Sequence, residues 1–161
     1  MKKQILSFKY AFRGVWSTIK SESHMRFHIV AGVYVLVFSL FYDFTIGQRA
    51  LLIVLIASVM AAETVNTCIE ELCNLISDRY EPLIRTSKDA SAGAVLILSI
   101  AAAAVAVIFF LDFETIGKIV SFFASNLWLT ALLVLSAVIS IIFVVLGPNG
   151  IRNKIMHLRN H

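Results

Sequence analysis

Residues 51–71 read LLIVLIASVMAAETVNTCIEE, and this stretch decides how the rest of the chain is interpreted. Its first part, Leu51 to Ala62, is almost entirely apolar and indicates a membrane-spanning helix. Glu63 follows directly on this apolar run. A carboxylate at mid-bilayer costs roughly 2.5–3.5 kcal/mol on insertion scales, and such residues usually have a function. The stretch therefore predicts a transmembrane helix that carries a functional acid near one end.

Three polar residues of this stretch recur at helical spacing. Glu63, Asn66 and Glu70 stand at positions i, i+3 and i+7, which share one face of an α-helix, and Asn74 extends the same face. At about 1.5 Å per residue the two carboxylates are about 10 Å apart along the axis. One could then lie at the lipid headgroups and the other nearer the cytoplasm. A polar stripe can also simply hold transmembrane helices together, but two acids and an amide in register favour a site.

The composition places the whole chain in the membrane class. Of its 161 residues, 59% are hydrophobic and 15% are charged, whereas soluble domains are about 45–50% apolar. The two cysteines, Cys68 and Cys73, are five positions apart. This spacing fits neither a disulfide framework nor a zinc site.

Residues 1–26 combine basic and apolar side chains in a pattern typical of a helix at a membrane surface. Apolar residues recur at helical spacing from Ile5 to Ile19, and six basic residues are interleaved with them. In a chain this apolar, anionic lipid headgroups are favoured over nucleic acid as the partner of these charges. No nucleic-acid partner is expected.

Four apolar segments follow, and they predict an all-α polytopic membrane bundle of about four transmembrane helices behind the surface helix. The first is short for a bilayer unless flanking residues extend it, and the second is expected to continue as a helix into water. A polar connector broken by Pro82 joins the second and third segments, an interfacial connector joins the third and fourth, and Gly147-Pro148-Asn149-Gly150 ends the last. The predicted spans are about 29–41, 50–69, 91–111 and 127–146, and the two long connectors are 77–88 and 112–125.

The basic residues predict the orientation of these spans. With the N-terminus inside, twelve of the fourteen Lys and Arg residues lie on one side, and Arg49 and Lys118 lie on the other. Because Lys and Arg are concentrated on the cytoplasmic side of membrane proteins, both termini are predicted to be cytoplasmic. Glu70, Lys88 and Asp89 then face the compartment that contains ATP.

The sequence excludes several familiar catalytic classes. It contains no phosphate-binding glycine-lysine loop, no protein-kinase signature set and no HExxH motif. The four histidines do not pair at metal-ligand spacing on the helix that carries Glu63. The candidate site is therefore based on carboxylates.

Carboxylates at the membrane boundary suit phosphoryl transfer from MgATP. Mg²⁺ bound to phosphates needs only one or two protein carboxylates, which Glu70 and Glu22 can supply if their helices pack together. Lys88 can offset phosphate charge. Glu63, deeper in the membrane, is suited to accept a proton from a lipid hydroxyl.

The chain resembles the prokaryotic diacylglycerol kinase and undecaprenol kinase family of small integral membrane lipid kinases. The similarity extends over about residues 5–113. Four motifs carry it: SFKYAFRG at 7–14, ESHMRFH at 22–28, ETVNTCIE at 63–70 and KDASAGAVLI at 88–97.

This resemblance implies that the chain transfers the ATP γ-phosphoryl group to a membrane lipid alcohol in a bacterial cell membrane. It also implies a homotrimer whose active sites are shared between subunits. Glu63 matches the general base, Glu22 and Glu70 match the two Mg²⁺ ligands, and Arg26 and Asn66 match polar residues of the lipid pocket. Positions that match nucleotide contacts are Tyr10, Glu22, Glu70, Arg79, Tyr80, Glu81, Lys88 and Asp89.

The resemblance divides the chain into three parts: the surface helix 1–26, a three-span kinase core 27–113, and an additional span with a basic tail at 114–161. The family usually has Asp at Asn74 and His at Glu81, while the acids at 22, 63 and 70 are retained. The residues of the motifs are more similar to those of the undecaprenol kinase branch. Diacylglycerol remains open as a substrate. The alternatives from other classes are a non-enzymatic assembly or transport subunit of the membrane and a membrane-surface binding module.

Overall fold

The computed structural model describes residues 2–76 and 81–159, and within these ranges it is helical with no strands. The first two helices are separated at Glu22, and a 3₁₀ turn, Ser39–Phe41, extends the second. The elements are α1 (Lys2–Ser21), α2 (Ser23–Phe38), α3 (Ile46–Ile76), α4 (Pro82–Phe110), α5 (Phe113–Ser125) and α6 (Leu127–Arg159).

Four helical segments in the described residues are long and apolar enough to cross a membrane. They are Ser23–Phe41, Ile46–Ile76, Pro82–Phe110 and Leu127–Ile151. This confirms the prediction of a helical membrane bundle. The 31 residues of α3 extend over about 46 Å, while the hydrocarbon core of a bilayer is about 30 Å thick. As predicted, α3 therefore continues as a helix beyond its apolar part.

The α3–α4 pair forms the most extensive helix interface, and α2 packs against both α3 and α6. Polar side chains are prominent in these interfaces, which is typical of helices that associate within a membrane, where hydrogen bonds and close packing replace the hydrophobic effect. The buried polar or charged side chains of the described residues are Thr18, Arg26, Ser39, Glu63, Thr67 and Ser91.

The end of the bundle opposite Glu63 is held by aromatic residues. The Tyr42 hydroxyl donates a hydrogen bond of 2.9 Å to the Phe110 carbonyl at the end of α4. Phe41 packs against Phe122 and Phe123 of α5, with ring centroids 5.4 and 6.1 Å apart. These contacts attach α5 to the turn that follows α2.

The predicted interfacial connector at 112–125 contains a helix, α5, which was not predicted and which is not one of the four apolar spans. Asp112 caps its N-terminus by accepting a hydrogen bond from the Glu114 backbone N–H. A further hydrogen bond from the Thr115 hydroxyl holds the pKa of Asp112 below its usual range, which keeps the cap charged at neutral pH. Asp is one of the preferred N-cap residues, so Asp112 is a sequence signal for the start of α5, although the segment after it is mostly apolar.

Pro82 also differs from its predicted role, because it begins α4 instead of breaking a connector that reaches Lys88. At the first helical position the missing N–H of proline has no partner to lose. Likewise, the surface helix was predicted to continue to residue 26, but α1 ends at Ser21 and α2 begins at Ser23. Arg26 therefore belongs to the first membrane span. At Gly147 the predicted interruption of α6 is present, and the helix resumes after it.

Gly32 sets the closest approach of α2 to α3. It is buried, and a Cβ at this position would lie 2.8 Å from Cγ2 of Ile56. We predict that Gly32→Ala separates the two helices and lowers the free energy of unfolding by about 1–3 kcal/mol, the usual cost of overpacking. Unfolding in detergent micelles measures this change. Gly117→Ala, where a Cβ meets open space, is the control, and equal stability of the two variants would contradict the prediction.

Candidate active site

The polar face of α3 lines a cavity of about 320 Å³ between α2, α3 and α4. Glu63 is only 3% exposed, and Asn66 and Glu70 border the same cavity, as their spacing predicts. His24 and His28 enter from α2. The α4 wall consists of Ala92, Val95, Leu96 and Ser99.

A chain of hydrogen bonds fixes the polar side chains of this cavity. The Asn66 Nδ2 donates to Glu70 Oε1 at 3.0 Å. The Oγ of Ser91, on α4, lies 2.7 Å from Asn66 Oδ1 and 2.9 Å from the Lys88 carbonyl. Since Asn66 is donor on one side and acceptor on the other, its amide has one orientation. The Glu70 carboxylate is oriented through it.

Lys88 connects α4 to α3 beyond this chain. Its Nζ donates a hydrogen bond of 2.6 Å to Asn74 Oδ1, so Asn74 holds the lysine against the face of α3 that also carries Glu70, one turn earlier. The neighbouring Asp89 is exposed and forms a 3.7 Å ion pair with Arg85 on its own helix. Such exposed pairs contribute little to stability, and Asp89 remains accessible.

Glu22 lies at the break between α1 and α2, where its backbone is extended, with φ −101° and ψ 122°. Its carboxylate is near enough to Glu63 to interact with it electrostatically, as are Glu70 and His24, although Glu22 does not line the cavity itself. The helix break therefore brings the first predicted metal ligand toward the acids of α3.

Arg26 has a different environment from the other predicted site residues. It is 5% exposed, and its Nε donates to the Val144 carbonyl of α6 at 3.0 Å. Its Nη1 lies 3.0 Å from the Ile19 carbonyl and 3.2 Å from the Lys20 carbonyl of α1. Its guanidinium thus binds protein backbone, and Arg26 does not line the cavity that contains Glu63.

Two of the remaining predicted nucleotide contacts, Tyr10 and Glu81, do not line the cavity. Tyr10 is exposed on α1, with the Arg13 guanidinium 5.3 Å from its ring centroid. Glu81 is exposed at the start of α4. Arg79 and Tyr80 fall outside the described residues. Within residues 2–76 and 81–159, no group of three or more His, Cys, Asp or Glu residues could hold a metal ion by itself.

The sequence did not identify His24, His28 and Ser99 as cavity residues, nor Ser91 as the hydrogen-bond partner of Asn66. His24 and His28 have i, i+4 spacing, which places both on one face of α2, and this signal was available. The Oγ of Ser99 is buried and has no hydrogen-bond partner in the described part of the chain. Its position opposite α2 depends on helix packing, which the sequence does not encode locally.

An apolar groove leads away from the cavity along α2 and α4. His28 and Ser99 line both the acidic cavity and the first part of the groove, which has a volume of about 210 Å³ and an alanine-rich wall. Val35 and Ala106 are shared with the next part, of about 440 Å³, which ends at Phe110 and Leu111. The acidic cavity that contains Glu63 and the apolar groove are therefore adjacent.

These features define a multi-pass membrane protein with an acidic site at one end of its helical bundle. Comparison with known proteins then gives its family. Residues 9–110 match the model of the protein family described as "Prokaryotic diacylglycerol kinase". The chain belongs to this family and is a lipid kinase, so we do not retain the alternative of a non-enzymatic membrane subunit.

Two curated relatives are similar to the chain. It is 33% identical to the undecaprenol kinase of Bacillus subtilis (strain 168) over 105 residues, which are 65% of this chain and 85% of that protein. It is 32% identical to the diacylglycerol kinase of Synechocystis sp. (strain ATCC 27184 / PCC 6803 / Kazusa) over 99 residues, which are 61% of this chain and 57% of that protein. No solved structure matches the chain.

Ser91→Ala tests the hydrogen-bond chain of the cavity. Its loss leaves the partly buried amide oxygen of Asn66 without this partner, so we predict a decrease of about 1 kcal/mol in the free energy of unfolding. Ser87→Ala is the matched control, since Ser87 is exposed on the same helix and bonds only to the Leu83 carbonyl of that helix. Thermal unfolding of both variants in micelles measures the difference. A Ser91 variant as stable as the Ser87 control would show that the chain does not stabilise the α3–α4 interface.

Proposed function

We propose that the chain transfers the γ-phosphoryl group of MgATP to the hydroxyl of a membrane lipid alcohol, with Glu63 as the general base. The observation that carries this proposal is the position of a buried carboxylate where a polar cavity meets an apolar groove. Glu63 is about 26 Å along α3 from its start, near the far boundary of a hydrocarbon layer about 30 Å thick. A lipid hydroxyl can reach this depth while its chain remains among apolar side chains.

The acidic cavity is the proposed site for the nucleotide and its metal. Glu22 and Glu70 supply hard oxygen ligands, and a Mg²⁺ ion that also binds phosphates and water needs no further protein ligand. When bound, Mg²⁺ would offset negative charge on the transferring phosphoryl group. We propose that Lys88, held by Asn74, binds phosphate, and that Tyr10, Arg79, Tyr80, Glu81 and Asp89 contribute to nucleotide binding.

The proposed reaction is an in-line displacement. The lipid oxygen attacks the γ-phosphorus while its proton moves to Glu63, and the bond between the γ-phosphorus and the β–γ bridging oxygen breaks to release ADP. Asn66, fixed by Ser91 and Glu70, positions the groups around Glu63. Positioning and electrostatic stabilisation supply most of the catalysis in phosphoryl transfer.

Undecaprenol is the acceptor that we favour over diacylglycerol. The chain covers more of the Bacillus subtilis undecaprenol kinase than of the Synechocystis diacylglycerol kinase. The groove continues from the cavity through two apolar parts of about 210 and 440 Å³, which suits a long hydrocarbon chain. Incubation of the purified protein with labelled ATP and each lipid alcohol in turn distinguishes the two acceptors.

We further propose that the chain lies in the bacterial cell membrane with both termini in the cytoplasm and that it assembles as a homotrimer. The distribution of its basic residues supports the orientation. The proposed organisation is a surface helix at 1–26, a kinase core at 27–113 and an additional span with a basic tail at 114–161.

Glu63→Gln tests the proposed base. Glutamine retains the shape of the side chain but cannot accept the lipid proton, so we predict a loss of kcat of at least about 100-fold, the lower range for general-base catalysis. Glu71→Gln is the control, because Glu71 is exposed on the same helix. Phosphorylation of undecaprenol in mixed micelles measures both variants. Near wild-type turnover by folded Glu63→Gln protein would exclude Glu63 from this role.

Removal of Glu22 or Glu70 tests the proposed metal ligands. Each alanine variant should need a higher Mg²⁺ concentration for half-maximal activity, because fewer protein oxygens hold the metal–nucleotide complex. A titration of activity against Mg²⁺ at fixed ATP measures the shift. Glu71→Ala again serves as control, and an unchanged Mg²⁺ dependence in the Glu22 and Glu70 variants would count against metal binding by these residues.

A further inference from the structure

We propose that Arg26 is a positioning residue that couples the last membrane span, α6, to the active-site face of α2. The family match ends at residue 110, so it gives no role to α6. The catalytic part of this coupling rests on the proposed function of Glu22 and Glu63. Its structural part rests on the contacts of the guanidinium alone.

Pro148 creates the acceptor to which Arg26 binds. In an α-helix the carbonyl of residue 144 accepts a hydrogen bond from the N–H of residue 148, and proline has no N–H. The Val144 carbonyl therefore lacks its helical donor inside an apolar span. The Nε of Arg26 supplies the replacement at 3.0 Å.

Gly147 provides the space for this contact. Its φ of 62° is a left-handed conformation that interrupts α6, and glycine adopts it without steric cost. A Cβ at this position would lie 2.9 Å from Arg26 Cζ and 3.0 Å from its Nη1. The Gly147-Pro148 pair, which the sequence suggests to be a simple helix stop, thus forms a notch that fits one guanidinium.

The same guanidinium also binds the end of α1. Nη1 lies within hydrogen-bond distance of the Ile19 and Lys20 carbonyls, which belong to the last turn of α1, where carbonyls lack helical donors. Arg26 therefore fixes the break between α1 and α2 at which Glu22 is located. One side chain connects three helices at this point.

The geometry of α2 transmits this anchor to the cavity. At about 100° per residue, positions two apart are on nearly opposite faces of a helix. His24 and His28 both stand two residues from Arg26, and both line the cavity with Glu63. The attachment of Arg26 to α6 thus sets the rotation of α2 that directs the two histidines toward Glu63.

A second contact keeps α6 in place when Arg26 is changed. The Tyr34 hydroxyl and Ser136 Oγ are 2.8 Å apart, about two turns farther along the α2–α6 interface. Variants at the notch are therefore expected to fold with a displaced α1–α2 break. This permits a test of position separate from a test of folding.

Gly147→Ala in the full-length protein is the principal test. The added methyl group displaces the guanidinium and also strains the backbone at φ 62°, a strain that Arg26→Lys does not introduce. We predict that kcat decreases by about 10- to 100-fold, as expected for a misplacement of about 1 Å at a catalytic site. The Mg²⁺ requirement should rise because Glu22 shifts, while the KM for undecaprenol stays near wild type. Arg26→Lys should show the same pattern, since one ammonium cannot reproduce the guanidinium geometry. Gly150→Ala is the control on the same helix, where a Cβ contacts only Leu146.

Two outcomes would overturn the coupling. If Arg26 instead contacts the lipid directly, Arg26→Lys raises the KM for undecaprenol and Gly147→Ala behaves like Gly150→Ala. If the contacts serve stability alone, Gly147→Ala lowers the melting temperature but leaves the kcat and Mg²⁺ dependence of the folded protein unchanged.

Two further measurements separate this inference from the proposed function. Glu63→Gln is assayed in parallel, and its activity concerns the proposed base alone. Amide hydrogen exchange across residues 18–28 reports the anchor without any assay of catalysis. Faster exchange there in Gly147→Ala than in Gly150→Ala supports the anchor, and equal exchange in the two variants contradicts it.

Discussion

The hydrogen-bonded contact between α3 and α4 is the constraint on which the site depends. Ser91, Asn66 and Glu70 form a continuous chain across this interface, and Lys88 and Asn74 close it at the outer end. Polar groups in a membrane interior are costly unless they form hydrogen bonds with one another. This cost favours packing of α3 against α4 along the face that carries these residues. The buried Glu63 carboxylate lies on the same face of α3 as this polar network and borders the same cavity as Asn66 and Glu70.

The lengths of the helices determine where this network lies. Both α3 and α4 are longer than the hydrocarbon layer, by their 31 and 29 residues. Their polar ends therefore emerge together on one side of the membrane, and the apolar groove follows the rest of α4. In the proposed reaction, the nucleotide approaches Glu63 from the water and the lipid chain approaches it from the bilayer.

The sequence predicts those features that follow from local periodicity. The apolar runs gave the four spans, and 3.6-residue spacing placed Glu63, Asn66 and Glu70 on one face. Features that depend on distant partners were not accessible in the same way. Pro148 leaves the Val144 carbonyl without its helical donor, which follows from local sequence, but only the folded chain shows that Arg26, 118 residues away, replaces that donor. The hydrogen bond between Lys88 and Asn74 was also not predictable, because it depends on the register of α3 against α4. The helix α5 was missed because its apolar composition outweighed the single capping residue Asp112.

The most direct measurement is an experimental structure of the protein in lipid bilayers with Mg²⁺, a non-hydrolysable ATP analogue and undecaprenol. Our account predicts a Mg²⁺ ion about 2.0–2.1 Å from a carboxylate oxygen of Glu70 or Glu22, the normal distance for this metal. It also predicts the lipid hydroxyl within hydrogen-bond distance of Glu63 and in line with the γ-phosphorus. A nucleotide bound away from these acids, or a lipid hydroxyl remote from Glu63, would contradict it.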